Sequence, residues 1–175
     1  MGGWHTLPSG NVVCYVMQAL PSQDRKSFCK LLGGYLLELE TAEDYSALVY
    51  YIWKLITHFG KSNSTSIATG AGTEPLLNNS GHVLLWRESK GLVDYSVQGM
   101  IRPAGSVTPT LQSGQTLFLK PFNYASNSTF SPNFTLQGIL SNGSSEFICM
   151  KPGTYNVMLP PPSPRLQQEC LIKLF

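Results

Sequence analysis

The sequence predicts an α+β fold, and three observations carry that expectation. Two helical segments fall close together between Pro21 and Gly60. Short segments rich in branched and aromatic residues, the composition of strands, stand before and after them. Helices gathered near the start and strands gathered after them is the order of an α+β domain, not of alternating βαβ units. At 175 residues, 42% of them hydrophobic, the chain is long enough for one domain with a substantial core.

Asn11–Gln18 (NVVCYVMQ) reads as a first strand, closed by a turn at Ala19-Leu20-Pro21. Ser22 is placed to cap the first helix, and Asp24 falls in its first turn, where the helix dipole favours an acid. Gly33-Gly34 supplies the left-handed turn that ends it, and Tyr35–Leu39 follows as an apolar, strand-like link. Thr41 with Asp44 three residues later is a near relative of the capping box and opens the second helix. Its periodicity is the clearest in the chain: Tyr45, Leu48, Val49, Ile52, Leu55, Ile56 and Phe59 recur at i, i+3, i+4 and i+7, so one face must be buried.

Lys61–Ser80 mixes Ser, Thr, Asn and Gly and is predicted to be mostly loop, with a short strand-like piece at Thr65–Thr69. His82–Arg87 (HVLLWR) is a clear strand, followed by a Ser89-Lys90-Gly91 turn and a short piece at Leu92–Ser96. Val97–Gly114 is rich in Gly, Pro and Thr without periodicity and reads as a long loop. Strands are expected at Gln115–Lys120, Asn133–Leu140 and Glu146–Met150, with Asn123–Pro132 as loop. The tail contains Leu159-Pro160-Pro161-Pro162-Ser163-Pro164, an extended polyproline run. The expected division is a lead over 1–10, a domain over 11–152 and a Pro-rich tail over 153–175, the PxxP at Pro161–Pro164 reading as linker.

Composition excludes several functions. Charged residues make up 13% of the chain, half the usual ~25%, and the net charge is +2. That leaves no basic footprint for nucleic acid. The longest apolar run is the second helix, broken by Lys54 and His58, so no membrane span is predicted. Four cysteines, Cys14, Cys29, Cys149 and Cys170, form no CxxC pair of the zinc-binding kind, and their even count fits two disulfides. Five sequons, at Asn63, Asn78, Asn127, Asn133 and Asn142, point to an extracellular, secreted glycoprotein. The start, MGGWHTLPSGNVV, lacks the basic and apolar regions of a signal peptide. A fragment of a longer extracellular protein is the preferred explanation, ahead of a mis-set start or an intracellular protein with reduced thiols.

Catalytic patterns are present only by accident. Ser27 and Lys30 match S-x-x-K, but neither S-D-N nor K-T-G follows. Gly60-Lys61-Ser62 resembles the end of a P-loop, yet Leu55 stands where its first glycine must be. His5, His58 and His82 have no metal-ligand spacing, and Trp4, Trp53 and Trp86 read as packing residues. The expectation is therefore a chain without catalytic residues, metal or cofactor.

A further set of motifs resembles the C-type lectin-like domain. It comprises Cys14-Tyr15 in a first strand, Ser27-Phe28-Cys29 on the first helix, Gly33-Gly34-Tyr35-Leu36 and Glu38 to Asp44 leading into the second. Trp86-Arg87-Glu88-Ser89-Lys90-Gly91 and Phe147-Ile148-Cys149-Met150-Lys151 complete it, so that the likeness spans Val12 to Lys151 and is weakest between Val97 and Glu146. The resemblance implies two helices packed on small antiparallel sheets with a long loop region, and a bridge from Cys29 to Cys149. A loop of this length would be worth about 4 to 5 kcal/mol in the chain-entropy model. Cys14, whose usual upstream partner has no counterpart, pairs with Cys170, or one of the two links to another chain and makes an oligomer.

Departures from the family bear on function. Its lectins hold sugar through calcium on Glu-Pro-Asn or Gln-Pro-Asp and on Trp-Asn-Asp. Here Leu136-Gln137-Gly138 stands roughly at the latter, Ser141 roughly at a further cysteine, and neither loop tripeptide occurs. Between Asp94 and Glu146 there is no Asp or Glu, whereas calcium wants six to eight oxygens with carboxylates among them. The expected function is extracellular, non-catalytic recognition of a protein or glycan without calcium. The alternatives are a true lectin using an atypical site in the 97–146 loops and a structural or adhesive module of a larger extracellular protein.

Overall fold

The computed structural model describes residues 3–39, 41–59, 66–78, 80–93, 112–123, 134–141 and 143–153. Within them the order is β1 (His5–Thr6), β2 (Val12–Leu20), α1 (Ser22–Leu31), β3 (Tyr35–Leu36), α2 (Ala42–Phe59), β4 (Ile67–Pro75), β5 (His82–Trp86), β6 (Thr116–Asn123), β7 (Phe134–Ser141) and β8 (Ser145–Lys151). The fold is α+β, as the order of segments predicts.

The strands form one connected sheet in the order β1-β2-β8-β4-β6-β7, with β3 added to β8 and β5 to β4. Pairing is antiparallel except where β4 meets β8, with Ile67 opposite Glu146 and Ala68 opposite Phe147. One edge of β4 is therefore shared: its first residues pair with β8, while Ala71–Pro75 pair with β5. Side chains alternate across a strand, so the sheet divides the core in two. Val13 and Tyr15, Ile148 and Met150, and Leu117 and Leu119 face one way and pack with Tyr45, Leu48, Ile52 and Ile56 of α2. Cys14, Val16, Phe118, Phe147 and Cys149 face the other way and pack with Cys29 and Phe28 of α1.

α2 begins as its sequence predicts: the Asp44 N–H donates to Thr41 Oγ1 at 3.1 Å. The Asp44 carboxylate accepts instead from the Ser9 N–H at 2.9 Å, tying the segment after β1 to the helix start. At α1 the expected cap is corrected. Pro21 occupies the N-cap with φ −60° and no side chain caps the helix; its carbonyl accepts from the Asp24 and Arg25 N–H groups, leaving Ser22 inside the first turn. The helix ends at Leu31 with Leu32 as its C-cap, and Gly33 follows in the left-handed region at φ +77°. The link 35–39 is strand only at Tyr35–Leu36, yet Leu37 continues the contact, donating to Ile148 O and accepting from the Gly70 N–H.

The segment expected to be mostly loop holds the largest difference. Ile67–Pro75 is a nine-residue strand central to the sheet, buried from Ile67 to Thr73. Its small residues are what its neighbours permit: a Cβ at Gly70 would lie 2.8 Å from Leu36 O and 3.0 Å from Leu37 O. The later strands stand within a few residues of their predicted places, and Trp86 is core at 5% exposure.

Candidate functional site

A narrow cleft of about 70 Å³ opens where four segments meet. The start of α1 contributes Ser22 and Lys26, the link after it Tyr35, Leu36 and Glu38, and β4 contributes Gly70, with Arg87 and Glu88 following β5. Its charged floor is already engaged. Glu38, 5% exposed, accepts the Glu88 N–H at 2.8 Å and the Ser89 N–H at 3.3 Å. Arg87 donates to Gln115 O and to Thr116 Oγ1, both at 3.1 Å, and its guanidinium occupies the space a Cβ on Gly72 would need. Lys26 and Glu88 stand exposed at the rim.

The volume lies far below the ~300–1,000 Å³ of small-molecule pockets. The cleft cannot enclose a sugar ring. Arg87 and Thr73 instead anchor residues 112–116, with Thr73 Oγ1 accepting the Gln115 N–H at 2.9 Å. They fix the point at which the chain re-enters the sheet after residues 94–111, which lie outside the described residues.

A second polar pair sits on the α2 side. The buried Tyr15 hydroxyl donates to the Glu146 carboxylate. Burial first, and Glu146 second, push the Tyr15 phenol far above its ordinary value, and burial pushes Tyr51 up to about 12. Both phenols therefore stay protonated at neutral pH, with Tyr15 as the hydrogen-bond donor to Glu146.

Cys29 and Cys149 are bonded, with Cα atoms 5.2 Å apart, and tie α1 to β8. Cys14 is the register partner of Cys149 across β2 and β8, and no described cysteine is a free thiol; Cys170 lies outside the described residues. Asn78 is exposed at the β4–β5 turn, whereas Asn63, Asn127, Asn133 and Asn142 lie outside the described residues. Leu136, Gln137 and Gly138 fall in β7, paired with β6.

The accidental motifs stay apart. Ser27 lies on the exposed face of α1 and its hydroxyl donates to Gln23 O at 3.2 Å; Gly60-Lys61-Ser62 is outside the described residues. His5 stacks on Tyr51 at 4.6 Å, while His58 lies in the last turn of α2 and His82 starts β5. Among the described residues no three His, Cys, Asp or Glu side chains gather as metal ligands.

Two structural ties have no obvious motif in the sequence. Arg25, 1% exposed, donates to Leu20 O at 2.8 Å, Gly143 O at 3.1 Å and Ser145 Oγ at 3.2 Å, with its guanidinium 5.4 Å from the Phe118 ring. Its signal was spacing, since Arg25 lies four residues before Cys29 and so on the same helix face. For Glu38 the signal was an acid inside an apolar link.

Solved structures with this arrangement exist. Human lithostathine superposes with a TM-score of 0.55 at 13% identity, covering 85% of this chain and 95% of that one. The chain has the C-type lectin-like fold. The mouse scavenger receptor C-type lectin carbohydrate-recognition domain (TM-score 0.52, 17% identity, 85% and 93% covered) shares it. So does SPL-1, solved as a complex with GlcNAc (0.53, 13%, 85% and 92%). At these identities the likeness concerns the fold alone. No family model matches the sequence, and no curated protein matches it.

Proposed function

We propose that this chain is an extracellular, non-catalytic recognition domain of C-type lectin-like fold that binds a protein or glycan through surface contacts without calcium. One observation carries the reading: the stretch that links the second half of the fold, from Tyr95 to Ser145, contains no Asp or Glu. A calcium site in the manner of the family's lectins draws its charge from carboxylates there. The acids that flank the described core are committed elsewhere, Glu146 to Tyr15 and Glu38 to backbone N–H groups. The cleft between the start of α1, the 35–39 link, β4 and the end of β5 is itself too small to enclose a small-molecule ligand.

Calorimetric titration of the full chain with calcium, alone and with simple sugars, tests this. No calcium heat is expected, and any ligand found should bind equally well in chelator. Micromolar calcium binding, or calcium-dependent retention on a sugar column, overturns the calcium-free reading. The neighbour solved with GlcNAc favours a second reading, a lectin with an atypical site. A consistent preference on a glycan array, unchanged by chelator, would select it.

A further inference from the structure

The β4–β5 hairpin ends in a feature that its strands do not require. The Leu76 N–H donates to Gly81 O at 2.9 Å, closing the turn, and Ser80 follows Asn78 as the third residue of a sequon. Turn tips are ordinarily polar or glycine-rich. Here Leu77 is fully exposed at 109% and Leu76 stands at 41%. On the other side of β5, Leu92 bridges Leu85 and the Val93 N–H donates to Leu84 O at 3.2 Å, and Leu92 is 69% exposed. An exposed apolar turn tip is a surface through which copies of a protein associate.

The adjacent residue supplies a cover. Asn78 is exposed, and the Ser80 hydroxyl donates to its Oδ1 at 2.8 Å, so the sequon hydroxyl engages the carboxamide oxygen and not its nitrogen. We propose that Asn78 carries an N-linked glycan and that this glycan shields the Leu76–Leu77 tip from a second copy of the chain. The proposal rests on the extracellular reading above. In the transfer, Asn78 Nδ2 loses a proton and bonds the anomeric carbon of a polyprenyl-diphosphate-linked oligosaccharide. The carbon–oxygen bond to the diphosphate breaks, and the polyprenyl diphosphate leaves. A branched, hydrated oligosaccharide one residue from Leu77 blocks close approach of another hairpin while leaving the strands unchanged.

The test uses the full chain secreted from a glycosylating eukaryotic host. Peptide mapping by mass spectrometry should find Asn78 glycosylated. N78Q and S80A each remove the sequon, and both should elute with at least a twofold larger apparent mass at high concentration than the wild type. The double variant L77S/N78Q should return to wild-type elution apart from the missing glycan. Asn78 unmodified while other sequons are occupied overturns this inference alone, whereas five empty sequons overturn the extracellular reading with it. Equal elution of wild type, N78Q and S80A overturns the shielding role even where Asn78 is occupied.

Discussion

The two helices lie on opposite faces of one sheet and are held by different physics. α2 has 18 residues and buries Tyr45, Leu48, Ile52 and Ile56 against the larger apolar cluster. Each such side chain contributes about 1.5–3 kcal/mol without directional demands. α1 has 10 residues and buries only Arg25 and Cys29. It has no apolar stripe, and Leu31 points into solvent at 86% exposure. What α1 lacks in burial it replaces by two directed ties four residues apart, one covalent and one polar. A periodic helix finds its place by area; a polar helix needs named partners.

Cutting the covalent tie should have the largest effect. Cys29→Ala with Cys149→Ala opens a loop of 120 residues and should cost about 4 to 5 kcal/mol in the chain-entropy model. Urea unfolding measures the loss, and amide exchange locates it. Residues 22–31 should exchange faster in the native state while residues 45–56 keep their protection. An even loss of protection across both helices would break the distinction between them.

The same contrast explains what could be read in the sequence. α2 was legible because its own residues carry the period of the surface that it covers. β4 was not, although Ile67–Thr73 is wholly buried. Its composition, Ile-Ala-Thr-Gly-Ala-Gly-Thr, answers to the Leu36 and Leu37 carbonyls and the Arg87 guanidinium, which come from elsewhere in the chain. Small residues that admit a neighbour look like loop residues when that neighbour is unknown. The Cys29–Cys149 bridge came only through family resemblance, because spacing alone leaves pairings open. Of the cleft, Glu38 was visible as an acid among Leu37 and Leu39, but its partners are backbone N–H groups 50 residues away, which no side-chain pattern announces.

The polar tie ranks next. Arg25→Met keeps an apolar stem of similar length but leaves Leu20 O, Gly143 O and Ser145 Oγ without this donor. Of these acceptors only Ser145 Oγ lies in a buried bond, and an unmet buried acceptor costs about 1–3 kcal/mol, so a loss of roughly 1 to 2 kcal/mol is expected, again with faster exchange in α1 than in α2. Replacing a buried charge by a well-packed hydrophobe can also be neutral. A neutral or stabilising Arg25→Met would show that the disulfide alone holds α1, which sharpens the comparison to one tie.

The smallest effect lies on the α2 side, where His5 of β1 stacks on Tyr51. Burial, and then the Lys54 charge, lower the His5 pKa below its ordinary 6.5. The folded protein thus binds this proton less readily than the unfolded chain. The contribution of the neutral ring is fully present above pH 6.5 and declines as pH falls from there toward the folded value. His5→Phe keeps a ring against Tyr51 and removes the titration. Between pH about 7.5 and about 5.5, wild type should therefore lose more stability in urea than the variant, with His58 and His82 common to both. Because this contact closes β1 onto an already well-buried helix, α2 exchange should hardly change at either pH. A pH dependence equal in the two proteins would mean that the charged imidazole is tolerated beside Lys54 and that the stack adds nothing to the larger core.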